Sequence, residues 1–120
     1  MLSPAQLARV DAFVAANLER RLLVSELAQA AGLPPARFAA AFAGARGRSP
    51  HQYVLDRRVE RAASLLERTR EPLADVAAAC GFASQQHMTL LLRRRRGVTP
   101  ARLRFSDATS DRAPAGARRP

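Results

Sequence analysis

One hundred and twenty residues, 48% of them apolar, suffice for one domain or two very small ones on a shared scaffold, and with no tryptophan and one tyrosine the core must be aliphatic plus a few phenylalanines. The formal charge is +10, its 20 cationic side chains all arginine, which favours a polyanionic partner: nucleic acid first, an acidic membrane surface or acidic protein second. Cys80 stands alone, which excludes an internal disulfide and a thiolate metal cluster, and no apolar run approaches the ~20 residues that cross a bilayer.

The first element opens on Ser3-Pro4-Ala5-Gln6. Ser3 is placed to cap, Pro4 suits the first helical position, and Gln6 reaches back to the cap. Leu7, Val10, Val14 and Leu18 then recur at three- and four-residue steps, which lines them on one helical face. A second helix is expected from about Val24 to Ala31, burying Leu27 and Ala28. Either Leu23 or Ser25 precedes its first turn, and Gly32 stops it in the left-handed way. Beyond Leu33-Pro34 a third helix runs from about Pro35 to Arg46 with Phe38 and Phe42 inward.

Ser49-Pro50-His51-Gln52 repeats the capping grammar of the first helix. It opens a long helix to about Arg68, on the order of 28 Å, with Leu55, Val59, Ala62 and Leu66 as its apolar stripe. Pro72 closes that region. A helix over Leu73–Cys80, a turn at Gly81-Phe82-Ala83, a helix over Ser84–Arg96 and a short last helix near Pro100–Phe105 follow. Neither alternation nor a β-branched run argues for a strand. The expected fold is all-α, about seven helices over residues 1–105; the Ala-, Pro-, Asp- and Arg-rich stretch 106–120 is expected to be a disordered tail.

The chain repeats itself. "ELAQAAGL" from Glu26 matches "DVAAACGF" from Asp75 at an offset of 49, and Phe38, Phe42, Gly47, Ser49 and Pro50 match Met88, Leu92, Gly97, Thr99 and Pro100 at an offset of 50. One extra residue in the second turn accounts for the change. Two helix–glycine turn–helix units therefore flank one long helix, close in length to a turn of duplex (~34 Å). In such a unit the first helix braces the second, whose exposed N-terminal half enters a major groove.

In the second unit Ser84 is a good cap, and Gln85, Gln86, His87 and Thr89 fall in the first two turns, where base edges are met. Glutamine pairs with adenine, and a threonine methyl meets a thymine methyl. Met88, Leu91 and Leu92 form the inward face, and Arg93 to Arg96 circle the helix end, suited to phosphates and to the negative end of the helix dipole. Phosphate anchoring is expected from Arg46, Arg48, Arg93 and Arg94, near the ends of the two recognition helices. Cys80, on a small apolar face, is expected to be buried packing. His87 has only His51 as a distant companion, so no metal site and no cofactor are implied, and no nucleophile–base pair or phosphate loop argues for an enzyme.

"SPHQYVLDRRVERAASLLERT", "PLADVAAACGFASQQHMT" and "RRRRGVTPARLR" resemble the DNA-binding domain of AraC/XylS-type bacterial transcription regulators, over about Leu2 to Phe105. The resemblance implies a seven-helix domain, recognition helices at about 35–46 and 84–96 in successive major-groove faces of double-stranded DNA, promoter binding and contact with RNA polymerase. It also implies base reading by Gln85, Gln86, His87 and Thr89, and a matching face of Ala36, Arg37, Ala39 and Ala40 in the first recognition helix.

The chain departs from the family pattern in two places. Its first recognition helix has Pro34 where a cap serine is frequent and Ala40 where an arginine is frequent, which leaves Arg37 as the only long donor. In the second, Leu90 stands at a frequent arginine position and Leu92 at a usual phenylalanine. Specificity is therefore expected to be lopsided, with the second unit discriminating and the first mainly anchoring. Members of the family often carry a separate sensing or dimerising domain; this chain, beginning almost at its first helix, reads as a stand-alone regulator or a fragment. The expectation is a soluble, cytoplasmic protein without a small-molecule pocket. The alternatives are a basic helical protein-interaction adaptor and a sequence-independent nucleic-acid binder.

Overall fold

The computed structural model describes residues 1–104; the expected tail at 106–120 lies outside them. Six helices, α1 (Pro4–Ala16), α2 (Val24–Ala31), α3 (Pro35–Arg46), α4 (Pro50–Arg68), α5 (Leu73–Ala79) and α6 (Gln85–Arg96), are followed by a short helix over residues 100–104, α7. There is no strand among the described residues. The fold is all-α, as expected, with most boundaries within a residue or so of those read from caps and periodicity, though Leu18, expected on the first helix's face, lies in a turn beyond its end at Ala16. The chain divides into two compact units within α4, one running from Met1 to Arg58 and the other from Val59 onward.

In the first unit the capping box at Ser3 is complete: Gln6 N–H donates to Ser3 Oγ at 3.1 Å and Ser3 N–H to Gln6 Oε1 at 2.8 Å. Val10, Val14 and Leu18 are buried together with Leu27, Ala28, Ala31, Phe38 and Phe42, and Leu7 packs against them half-buried. The α2 cap, left open between Leu23 and Ser25, is Leu23, whose N–H donates to Glu26 Oε1 at 2.9 Å. At the other end of α2 two side chains of α1 satisfy carbonyls the helix cannot pair itself: Gln6 Nε2 donates to Ala31 O at 3.0 Å and Arg9 Nε to Ala30 O at 3.1 Å. From α4, Arg58 donates to the carbonyls of Leu18 and Arg20 at 3.1 and 2.7 Å, fixing the α1–α2 connection.

Tyr53, on α4, is 8% exposed and joins this core, which the stripe read from the sequence did not include. Its hydroxyl donates to Asp11 Oδ1, and Arg46 forks onto the same carboxylate at 3.1 and 2.8 Å while lying over the Phe42 and Tyr53 rings. One carboxylate thus ties α1, α3 and α4. Burial pushes the Asp11 carboxyl up, but hydrogen bonds from Arg46 and Tyr53 and the charges of Arg46 and Arg57 outweigh it and hold the group below the usual range. A carboxyl that titrates lower folded than unfolded adds stability above its unfolded pKa and loses it as pH falls through the folded value. Asp11→Asn is therefore expected to cost ~1 kcal/mol at neutral pH, a modest figure because the pair is partly exposed. The deficit should shrink as pH is lowered from neutral into the acid range, through the folded value. Urea unfolding at neutral and acid pH reads it; a deficit that ignores pH would make Asp11 a packing residue only.

In the second unit Val59, Ala62, Ala63, Leu66, Val76, Ala77, Cys80, Phe82, Met88, Leu91, Leu92 and Leu103 are buried. The Cys80 thiol is pushed up to about 11 by burial, with Arg61 opposing and Glu71 adding to the shift, which fits a packing role.

The repeat seen in the sequence is a repeat of hydrogen bonds. Leu33 N–H donates to Ala28 O at 3.0 Å, and Phe82 N–H to Ala77 O at 2.9 Å, at the same offset of 49 that relates the two helices. The residue before each donor is a glycine in the left-handed region, Gly32 at φ 75° and Gly81 at φ 83°, where a side chain would be strained. After the extra residue of the second turn, every counterpart stands 50 apart. The helices start at Pro35 and Gln85, and Gly47 and Gly97 donate to Ala43 O and Arg93 O at 2.7 and 3.0 Å. Tyr53 and Leu103 then donate to Ser49 O and Thr99 O at 2.9 and 3.1 Å.

Candidate nucleic-acid interface

The two repeated turns each present a second helix, α3 or α6, whose outer face is the candidate surface. The faces differ in chemistry because the helix starts differ. α6 is capped by Ser84, whose Oγ accepts from His87 N–H at 3.0 Å; α3 begins after Pro34, which offers no side-chain cap.

On α6, Met88 and Leu92 are fully buried and Leu91 is 8% exposed, as the inward face read from the sequence requires. Gln85 and Gln86, the first two helical residues, are exposed, and Thr89 is half-buried beside them. Exposed amide side chains at a helix N-terminus have the donor and acceptor that pairing with an adenine edge requires. His87 sits differently: its ring is half-buried, edge-on to Phe82 at 5.7 Å, with a buried Nδ1 that lacks a hydrogen-bond partner. The structure thus brings Gln85, Gln86 and Thr89 to the outer face and holds His87 at its margin. The period carries the signal, since His87 precedes buried Leu91 by four residues and shares its stripe.

On α3, Phe38 and Phe42 are fully buried, with ring centroids 5.4 Å apart. Ala36, Arg37 and Ala40 are exposed and Ala39 is half-buried. Arg37 alone on this face carries hydrogen-bond donors, so the outer surface of α3 is smooth and nearly apolar.

The four arginines expected at phosphates fall into two classes. Arg93 and Arg94 are exposed at the end of α6, beside exposed Arg96. Arg46 is forked onto Asp11, and Arg48 onto Asp56, with Nε–Oδ2 at 3.0 Å and Nη2–Oδ1 at 3.1 Å. These bidentate pairs already supply each guanidinium with an anion. Asp11 and Asp56 are therefore partners of these arginines that the sequence reading missed. Asp11 lies 35 positions from its partner, beyond any local pattern. Asp56, eight positions on from Arg48, lies across a helix start that no periodicity spans.

Among the described residues no group of His, Cys, Asp and Glu side chains gathers to hold a metal ion, and no helix is long and apolar enough to cross a membrane.

Residues 27–105 match the family described as a helix-turn-helix domain. The probable transcriptional regulator LumQ of Photobacterium leiognathi is 36% identical over 96 residues, 80% of this chain and 39% of LumQ, so the chain spans well under half of that relative's length. A transcriptional regulator structure from Chromobacterium violaceum, described as AraC-type DNA-binding domain-containing, superposes with a TM-score of 0.81 at 28% identity, covering 87% of this chain and 93% of its own. The DNA-binding domain of AdpA, a global transcriptional factor solved in complex with a target DNA, gives a TM-score of 0.78 at 32% identity, covering 92% of this chain and 98% of its own. With the family match running from residue 27 to 105 and both superpositions spanning most of the chain, the chain belongs to the helix-turn-helix family of AraC/XylS-type transcription regulators.

Proposed function

We propose that this chain is a sequence-specific, double-stranded DNA-binding transcription regulator domain in which α3 and α6 each enter a major-groove face of one duplex. The observation that carries the reading is the outer face of α6: Gln85 and Gln86 exposed with Thr89 beside them, over a stripe of buried Met88, Leu91 and Leu92. Gln85, Gln86 and Thr89 read bases, His87 contributes from the margin, and Arg37 is the single reader of α3. A contact with RNA polymerase is the further part of the proposal, supported by membership of a family of transcription regulators.

Arg93 and Arg94 are the principal phosphate anchors. Arg46 and Arg48 reach phosphates only by sharing or leaving Asp11 and Asp56, which places them second. Binding to a duplex selected from a random pool and to its scrambled version, across a salt series, tests the whole reading. A preference of ~10³ or more for the selected site is expected. A steep salt slope without preference would mean non-specific coating, and weak binding to both duplexes would mean a protein-interaction adaptor. Replacing Arg93 and Arg94 by alanine should lower the slope of log K against log salt by about 0.9 per lost contact. Replacing Arg46 and Arg48 should lower it by less, and an unchanged slope for the first pair would reject the anchors.

A further inference from the structure

Within α6 the apolar side chains divide sharply. Met88, Leu91 and Leu92 are at most 8% exposed, whereas Leu90 is 43% exposed, one of four exposed large apolar residues among those described. The helical repeat puts Leu90 on one stripe with Gln86, four residues before it, and with Arg93 and Arg94, three and four residues after it. All three neighbours are exposed. Along about two turns the outer face therefore runs amide, isobutyl, guanidinium pair. A leucine left 43% exposed there leaves much of its burial gain unrealised.

The major groove offers an apolar group that distinguishes one base pair from the others, the 5-methyl of thymine. A helix whose amide meets an adenine edge and whose later cations meet phosphate carries the residue between them at base depth. We infer that Leu90 is a specificity-determining residue of α6 that packs on the 5-methyl of a thymine, and so selects T·A at one position of the site. The inference rests on the DNA-binding reading above and deepens it. Thr89, half-buried on the flank, is the rival for the same methyl.

Deoxyuridine removes that methyl and nothing else. In the site selected by the full chain, each thymine is replaced singly by deoxyuridine and binding is measured for the unaltered chain, Leu90→Ala and Thr89→Ser. One thymine under α6 is expected to lose about fourfold in affinity on losing its methyl, the effect of one buried carbon (~0.8 kcal/mol). Leu90→Ala should erase that difference while the penalties of base changes elsewhere in the site persist, and Thr89→Ser should retain it. A methyl dependence that survives Leu90→Ala and vanishes in Thr89→Ser assigns the contact to Thr89 and overturns the proposal. So does a selected site with no methyl-dependent thymine under α6. A chain with no preferred site at all fails the DNA-reading proposal itself, and Leu90's role with it.

Discussion

Phe42→Ala is expected to remove ~3–5 kcal/mol of folding stability, the range for emptying a phenylalanine site in a closed core. The side chain is fully buried, with its ring 5.4 Å from Phe38 and 5.2 Å from Tyr53, and the Arg46 guanidinium lies over it at 5.7 Å. Two of these neighbours, Tyr53 and Arg46, are tied to Asp11, so neither can collapse into the space without breaking its own hydrogen bonds. Domains of this size hold ~5–15 kcal/mol in total, so the loss consumes a large share. The urea midpoint followed by circular dichroism should fall accordingly, with Phe42→Leu falling much less because most of the volume stays filled. A loss under ~1 kcal/mol for the alanine variant would mean that the site relaxes and that the α1–α3–α4 junction is not close-packed.

Gln85→Ala with Gln86→Ala is expected to cut the preference for the selected site over a scrambled duplex by about thirtyfold or more, since each paired base contact is worth ~1–3 kcal/mol. Stability should hardly change, because both side chains are exposed and alanine is a good helix former. Non-specific binding should also persist, since Arg93 and Arg94 are untouched. This separates loss of reading from loss of grip. Arg37→Ala, the corresponding change on α3, should cost less, because one residue makes at most one paired base contact where the two glutamines make two. The same preference retained by the Gln85/Gln86 variant would move base reading off the N-terminal turns of α6.

Much of this molecule was legible in its sequence, and for a local reason. Caps and stops act within four residues, so Ser3 with Gln6, Ser49 with Gln52, and Ser84 set helix starts, and Gly32 sets the end of the second helix, close to where the structure has them. The doubling was legible for the same reason. A repeated residue pattern recreates a repeated hydrogen-bond pattern, down to the one-residue shift between the turns. Polarity along α6 separated Met88, Leu91 and Leu92 from Gln85 and Gln86 without help from any other helix. His87, expected from its residue type at a base edge, stands half-buried and edge-on to Phe82, on the stripe that its period shares with Leu91.

What the chain order alone settled was which segments coil, where they stop and which side of each is apolar, because those depend on neighbours one turn away. Which charges are spent inside the protein was decided only by folding. Asp11 reaches Arg46 and Tyr53, Asp56 takes Arg48, and Arg58 closes carbonyls forty residues earlier, through contacts between helices that no local spacing encodes. A guanidinium looks the same in sequence whether it will hold a phosphate or a carboxylate. The difference is made by the anion that packing brings within 3 Å of it, as at Arg46 and Asp11.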